Sequence, residues 1–193
     1  MAITINGSGT ITGVSVGGLP DGIVDSDMIA ADAVTSAKIG SRTFTSYAII
    51  CDEKAHDAHA GSFTSGAWRT RDLNTEIADP DGIVSISSNQ FTLSAGDYLI
   101  EASAPAFDCT RHQIRLYNAT DSSVVVYGQN CHTFTTDSVQ THSAVVGRVT
   151  ISGSKAFEIQ HQCTTTKATH GLGLSNDFGG ASIYCVVKIY KEA

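Results

Sequence analysis

The chain has 193 residues, 41% of them apolar and 16% charged, with 18 glycines and only 3 prolines; this is the make-up of a folded, turn-rich protein and excludes a disordered or collagen-like chain. The formal net charge of -7 comes from scattered Asp and Glu with no block of Lys or Arg, which argues against a nucleic-acid backbone or an anionic membrane as partner. The opening MAITINGSGTITG has no basic stretch followed by a long apolar run, and nowhere do about eighteen apolar residues follow one another, so neither an export signal nor a membrane anchor is read.

Residues 1–40 are rich in Gly, Ala, Ser and Asp and contain no Tyr or Trp, so they lack the bulk for a core of their own. Within them Val24-Asp25-Ser26-Asp27-Met28-Ile29 recurs as Val34-Thr35-Ser36-Ala37-Lys38-Ile39, with Val, Ser and Ile at matched positions. A unit this short cannot bury its own apolar edge and needs neighbours, along the chain or from identical chains alongside. A flexible leader with one short helix capped by Ser26 is the other reading.

From Ser41 onward short runs of β-branched and aromatic residues alternate with Gly, Asn, Asp and Ser clusters. The pattern predicts strands near 43–51, 67–74, 82–87, 89–93, 97–104, 112–118, 123–128, 144–151, 155–162 and 181–190. With no helical periodicity between them, the class is all-β, a sandwich, jelly roll or barrel, over residues 41–193.

The final strand is apolar on both faces: Ile183, Cys185, Val187 and Ile189 lie on one, Tyr184, Val186, Lys188 and Tyr190 on the other. The first strand repeats the signal, with Tyr47, Ile49 and Cys51 opposite Ala48 and Ile50. A second apolar face needs cover, from a neighbouring subunit or from loops of the same chain. The subunit reading places Tyr184, Val186, Tyr190, Ala48 and Ile50 in an interface between copies.

Recognisable catalysis is absent. No nucleophile elbow, zinc-protease helix, phosphate loop or dinucleotide fingerprint occurs. Glu101 and Glu158 fall in alternating strands, where a carboxylate ordinarily faces solvent. The five cysteines (Cys51, Cys109, Cys131, Cys163, Cys185) are odd in number and lack CxxC spacing, which argues against a disulfide framework or a thiolate zinc site. His56 and His59 among the carboxylates of 52–57 read as a solvated loop rather than metal ligands, and His132 and His161 as loop or strand-end histidines. No cofactor and no metal is expected. Asn118-Ala119-Thr120 is read as turn residues, not as a glycosylation site.

Four stretches carry a family likeness: Gly66–Thr75 (GAWRTRDLNT), Asn89–Ala106 (NQFTLSAGDYLIEASAPA), Arg111–Ser123 (RHQIRLYNATDSS) and Gly147–Cys163 (GRVTISGSKAFEIQHQC). They resemble the jelly-roll heads of bacteriophage tail-fibre proteins, which are similar to the trimeric domains of tumour-necrosis-factor and complement type. The leader, with GTITGVSVGGLPDGIVDSDMIA, looks like the segments that precede such heads. The resemblance implies a homotrimer in a virion assembled in the bacterial cytoplasm, docked through residues 1–40 and carrying a head over 41–193.

It also implies that both ends of the head lie at the virion-facing base, so the loop after the first strand, 52–66, stands near the outer end. That loop and Gln129–Thr136 are the candidates for contact with a host glycan or protein, through His56, His59, His132 and Phe134, and neither is expected to be needed for the core. A purely structural head fibre, collar or capsid-decoration protein is the competing function. A secreted complement- or cytokine-like ligand is disfavoured by the absence of a signal peptide and by the unpaired cysteines.

Overall fold

Strands form where the sequence alternates: along Arg111–Asn118 every second side chain, from His112 to Asn118, is buried, and the residues between them stand outward. This is the period of two that a sheet with one covered face requires. The structure, a computed structural model, describes residues 4–5, 11–12, 44–134 and 138–193. Two units are distinguished, Met1–Arg42 and Thr43–Ala193. In the first, strands β1 (Thr4–Ile5) and β2 (Ile11–Thr12) pair antiparallel. The repeat at 24–39, the alternative helix behind Ser26, and Thr135 and Thr136 of the second candidate loop lie outside the described residues.

The head contains β3 (Phe44–Lys54), β4 (Arg69–Thr70), β5 (Thr75–Ala78), β6 (Val84–Ser87), β7 (Gln90–Leu93), β8 (Gly96–Phe107), β9 (Arg111–Asn118), β10 (Ser123–Tyr127), β11 (Cys131–His132), β12 (Gln140–Ile151), β13 (Lys155–Cys163) and β14 (Ser182–Glu192). Among the described residues there is no helix. One antiparallel sheet runs β12-β8-β14-β3-β5; the other runs β10-β9-β13-β7-β6, with β11 added to β9 and β4 to β13. Between them lies the main core, in which Ile50, Phe91, Tyr98, Ile100, Leu116, Phe157 and Val187 are all fully enclosed.

Register fixes the two ends of the sandwich. At the entry end Phe44 pairs with Glu192, while at the far end Lys54 pairs with Ser182, Phe107 with Gln140 and His112 with Cys163. The connections 55–68, 108–110 and 164–181, with residues 133–134 and 138–139, therefore gather at the far end.

The stretch 67–74, expected as one strand, is strand only at Arg69–Thr70. It then crosses between sheets: Arg71 N–H donates to Ile159 O of one sheet (2.8 Å) and Asn74 N–H to Cys51 O of the other (3.0 Å). The crossing carries Arg71 and Leu73 into the interior. Strand β5 was not foreseen, because Ile77, its one large apolar residue, faces outward.

The two sheets are stitched along one side. Gln129 N–H donates to Ala144 O (2.7 Å) and Gly128 N–H to Ile114 O (2.9 Å). The Ser143 hydroxyl donates to Gln129 O (2.6 Å) and accepts from Ile114 N–H (3.0 Å). This close approach requires glycine at 128, where an added Cβ would stand 2.5 Å from Ala144 O. Gly128→Ala is therefore expected to destabilise the head by about 1–3 kcal/mol, the usual cost of overpacking. A urea-denaturation midpoint equal to that of the parent protein would contradict it.

Candidate functional site

The far-end loops are held by backbone bonds to one another. Phe63 and Lys167 exchange N–H to O bonds of 2.8 and 2.9 Å, Ala60 N–H donates to Gly173 O, and Leu172 N–H donates to Gly61 O. Phe63 is fully buried with Ala106, Cys109, Cys163 and Leu172 in a second, smaller core. The loop after β3 thus contributes to the core, contrary to the expectation from sequence, because one aromatic residue folds back under it. The His56 Nε2 lies 2.9 Å from Asp177 Oδ1, and the His59 Nδ1 accepts from Ser175 N–H at 3.2 Å. Both histidines face the 164–181 connection. His132 and Phe134 meet edge to face at 4.9 Å, with Phe134 55% exposed. Thr133 between them is buried, and its hydroxyl oxygen accepts from Cys109 N–H at 2.8 Å. Among the described residues no cluster of three His, Cys, Asp or Glu side chains is placed to hold a metal ion.

The outward face of the five-stranded sheet is the second surface. Residues paired directly across antiparallel strands share a face, so Ala48, paired with Ile189, and Ile50, paired with Val187, both point into the core. Their assignment to an exposed interface is corrected: with both faces apolar, alternation identifies the two sets but not which one is inside. Tyr47 (45% exposed) and Ile49 are the outward residues of β3. Tyr184 is corrected too. A bulge between Ile183 and Val186 changes the alternation, and Tyr184 is covered by loops of its own chain, its hydroxyl donating to Ala58 O at 2.7 Å. Val186, Lys188 and Tyr190 do stand outward, beside Ser103, Glu101 and Leu99 of β8, and Val146 of β12 is 58% exposed. Glu101, Ser103, Ala144, Val146, Val186 and Lys188 line a shallow hollow of about 170 Å³ there.

Behind the far end lies a buried ionisable group of residues. Arg71 is fully enclosed; its Nη1 donates to Pro105 O at 3.3 Å, while Nε and Nη2 have no hydrogen-bond partner among the described residues. Burial disfavours the guanidinium charge, and the charges of Asp52 and Asp72 oppose that effect. Burial likewise raises the Asp52 pKa, an effect countered by Lys54. The Lys54 ammonium lies 3.0 Å from Asp52 Oδ1, an ion pair that faces the buried carboxylate from one side. The His112 Nδ1 and His161 Nε2 are 2.9 Å apart, and His112 Nε2 is 2.8 Å from the Thr141 hydroxyl. That hydroxyl donates to His132 O, so it accepts from His112. Both rings are then neutral, with His161 donating to His112 and its own Nδ1 left bare beneath the Phe63 ring. Desolvation first, then His142 and Arg71, lowers the His112 pKa to about 4, and desolvation and Arg71 lower that of His161 well below its ordinary value.

A third surface was missed by the sequence reading. The outward residues of β9 and β13 are Arg111, Gln113, Arg115, Tyr117 and Glu158, Gln160, Gln162. Glu158 is not the solvent-facing carboxylate expected, being only 7% exposed and accepting from Gln90 and Gln160. The available signal was polar residues at every second position, but such a row reads equally as a solvated strand face. Trp68, which lies against it, is far away in sequence.

No protein-family model and no curated protein sequence matches the chain. Among solved structures, Eiger TNF from S. frugiperda is similar with a TM-score of 0.52 and 11% identity, over 79% of this chain and 94% of that one. The globular domain of zebrafish complement 1qA protein gives 0.50 and 13%, over 76% and 97%. The PRD1 vertex protein P5 gives 0.47 and 14%, over 78% and 99%. At these identities the likeness establishes the fold alone: the head is an all-β jelly roll of the tumour-necrosis-factor and complement class.

Proposed function

We propose that the chain is a virion structural protein, a homotrimeric phage fibre whose N-terminal segment docks on the particle and whose head mediates attachment to the host cell. The observation that carries this reading is the outward face of the five-stranded sheet, where Tyr47, Ile49, Leu99, Val146, Val186 and Tyr190 stand around the cross-strand neighbours Glu101 and Lys188, with Arg148 beside Leu99. An apolar sheet face of this kind is ordinarily covered by another protein surface. The head that offers it is a fold whose sequence resembles trimeric phage fibres, so a second and third copy are the natural cover. The hollow at Val146 and Val186 would receive a side chain of the neighbouring copy.

In this reading the head acts by binding and catalyses nothing, and three sites on one fibre compensate for weak single contacts through effective concentration. The test is antibody labelling of particles combined with competition. The antibody should decorate virions, and purified protein should bind host cells and block particle adsorption. Decorated virions with no binding and no competition would favour a structural head fibre, collar or decoration protein, and bare virions would overturn the virion assignment.

A further inference from the structure

Beneath Trp68, on the outward face of the other sheet, lies a pocket of about 360 Å³ lined by Trp68, Arg111, Gln113, Asn130, Gln162 and Thr164, among others. Its volume lies in the range of small-ligand sites. The wall is prepared by a fixed chain of contacts. Buried Glu158 accepts from Gln160, the Gln160 Oε1 accepts from Arg115 Nε at 2.7 Å, and the Arg115 guanidinium lies 4.2 Å from the Trp68 ring centre and 5.0 Å from that of Tyr117. Tyr127 approaches the same indole at 5.9 Å. Trp68 is therefore held in place by its neighbours before any ligand arrives, which reduces the ordering cost of binding.

The floor is prepared in the same way. Gln113 Nε2 donates to Gly128 O at 2.7 Å. The side chains of Arg111, Asn130 and Gln162, in contrast, make no hydrogen bond among the described residues, although all three line the pocket. An indole wall half open to solvent beside two unengaged planar amides, a guanidinium and a threonine hydroxyl is a donor and acceptor set for a ring with one apolar face and a rim of hydroxyls. Among the described residues no carboxylate and no lysine lines the pocket. Trp68 is its one large apolar side chain, with Cys131, Cys163 and His112 completing the lining, and a single aromatic platform beside polar groups suits a sugar ring.

We propose that this pocket is a saccharide-binding site, in which one sugar ring stacks on Trp68 while Asn130, Gln162 and Arg111 bond its hydroxyls. The inference deepens the attachment reading by naming the ligand class and the face of the head that receives it. It moves the site from the loop histidines to the adjoining sheet, although β11, which carries His132, supplies one rim through Cys131.

Trp68 is the only tryptophan in the chain, so its fluorescence reports directly on the wall of the pocket. Full-length protein is applied to an array of bacterial surface oligosaccharides, and the components of retained glycans are titrated while indole emission is followed. A saturable emission change is expected. Gln162→Ala and Asn130→Ala should each weaken binding by about tenfold, the order of one well-made hydrogen bond with its desolvated partner, at unchanged melting temperature. No retained glycan, or retention indifferent to both substitutions, would overturn the site. Cell adsorption of the same variants separates the two readings. Adsorption that persists undiminished in both overturns the saccharide site and leaves attachment standing, as for a protein receptor. Glycan binding lost in both variants, with a parent protein that never adsorbs to cells, supports the site and defeats the attachment reading.

Discussion

Replacing Val146 and Val186 together with Asp should convert the assembled protein from a species of about three times 20.2 kDa into one of 20.2 kDa, read by light scattering at micromolar concentration. Val146 is 58% exposed and Val186 half-buried on the outward face of the five-stranded sheet, so the single head loses little by either change. In the proposed trimer both positions are desolvated. A carboxylate buried without a partner costs several kcal/mol, and three copies carry six of them. Far-ultraviolet circular dichroism should remain that of a β-sandwich. A parent protein that is already monomeric, or a double variant that stays trimeric, would remove the apolar sheet face as the basis of assembly.

Acidification should weaken the head well before its surface carboxylates titrate. The His112 pKa is depressed to about 4 and that of His161 is also lowered, so the unfolded chain binds protons that the folded one refuses. The stabilisation is complete above the ordinary histidine value near 6.5 and is lost as pH falls from there through about 4. For His112 alone the loss is on the order of 3 kcal/mol. The cause is geometric. A proton added to the pair ends on His161 Nδ1, which has no acceptor, or on a ring already facing Arg71, His142 and His132, with only the Thr141 hydroxyl at its other edge. Urea midpoints between pH 7.5 and 4.5, at fixed protein concentration because assembly contributes to stability, should fall steadily. The slope should flatten in His161→Asn. A midpoint indifferent to pH over that interval would refute the neutral pair.

How far the sequence could be read varies with what each residue depends on. Strands such as Arg111–Asn118 were legible because local alternation alone decides them. The face of β3 was not: Tyr47, Ala48, Ile49 and Ile50 are all apolar or amphipathic, and only pairing with β14 shows that Ala48 and Ile50 are inside. Tyr184 was misplaced by a bulge, an extra residue that no period of two anticipates. The loop histidines were found by composition, yet nothing in their spacing announced their partners Asp177 and Ser175. Arg71 looked like part of a strand and is a buried cation at a crossing between sheets. The Trp68 pocket draws on residues from 68 to 164, and its unity exists only after β9, β11 and β13 are laid side by side.

The placement of β3 also has a mechanical consequence. Phe44–Lys54 is the strand by which the chain enters the head, and it is hydrogen-bonded to β14 along its length, from the Phe44 and Glu192 pair to that of Lys54 and Ser182. A pull applied to the chain at Phe44 along the strand direction, against a fold gripped at its far end, runs parallel to this strand. The ladder bonds lie across that direction, so they are loaded together in shear and must yield collectively. Had the chain entered through a strand hanging from the sheet by one end, the same pull would open the bonds one after another. A load carried into the fold through Phe44 therefore meets the collective resistance of the β3 and β14 ladder.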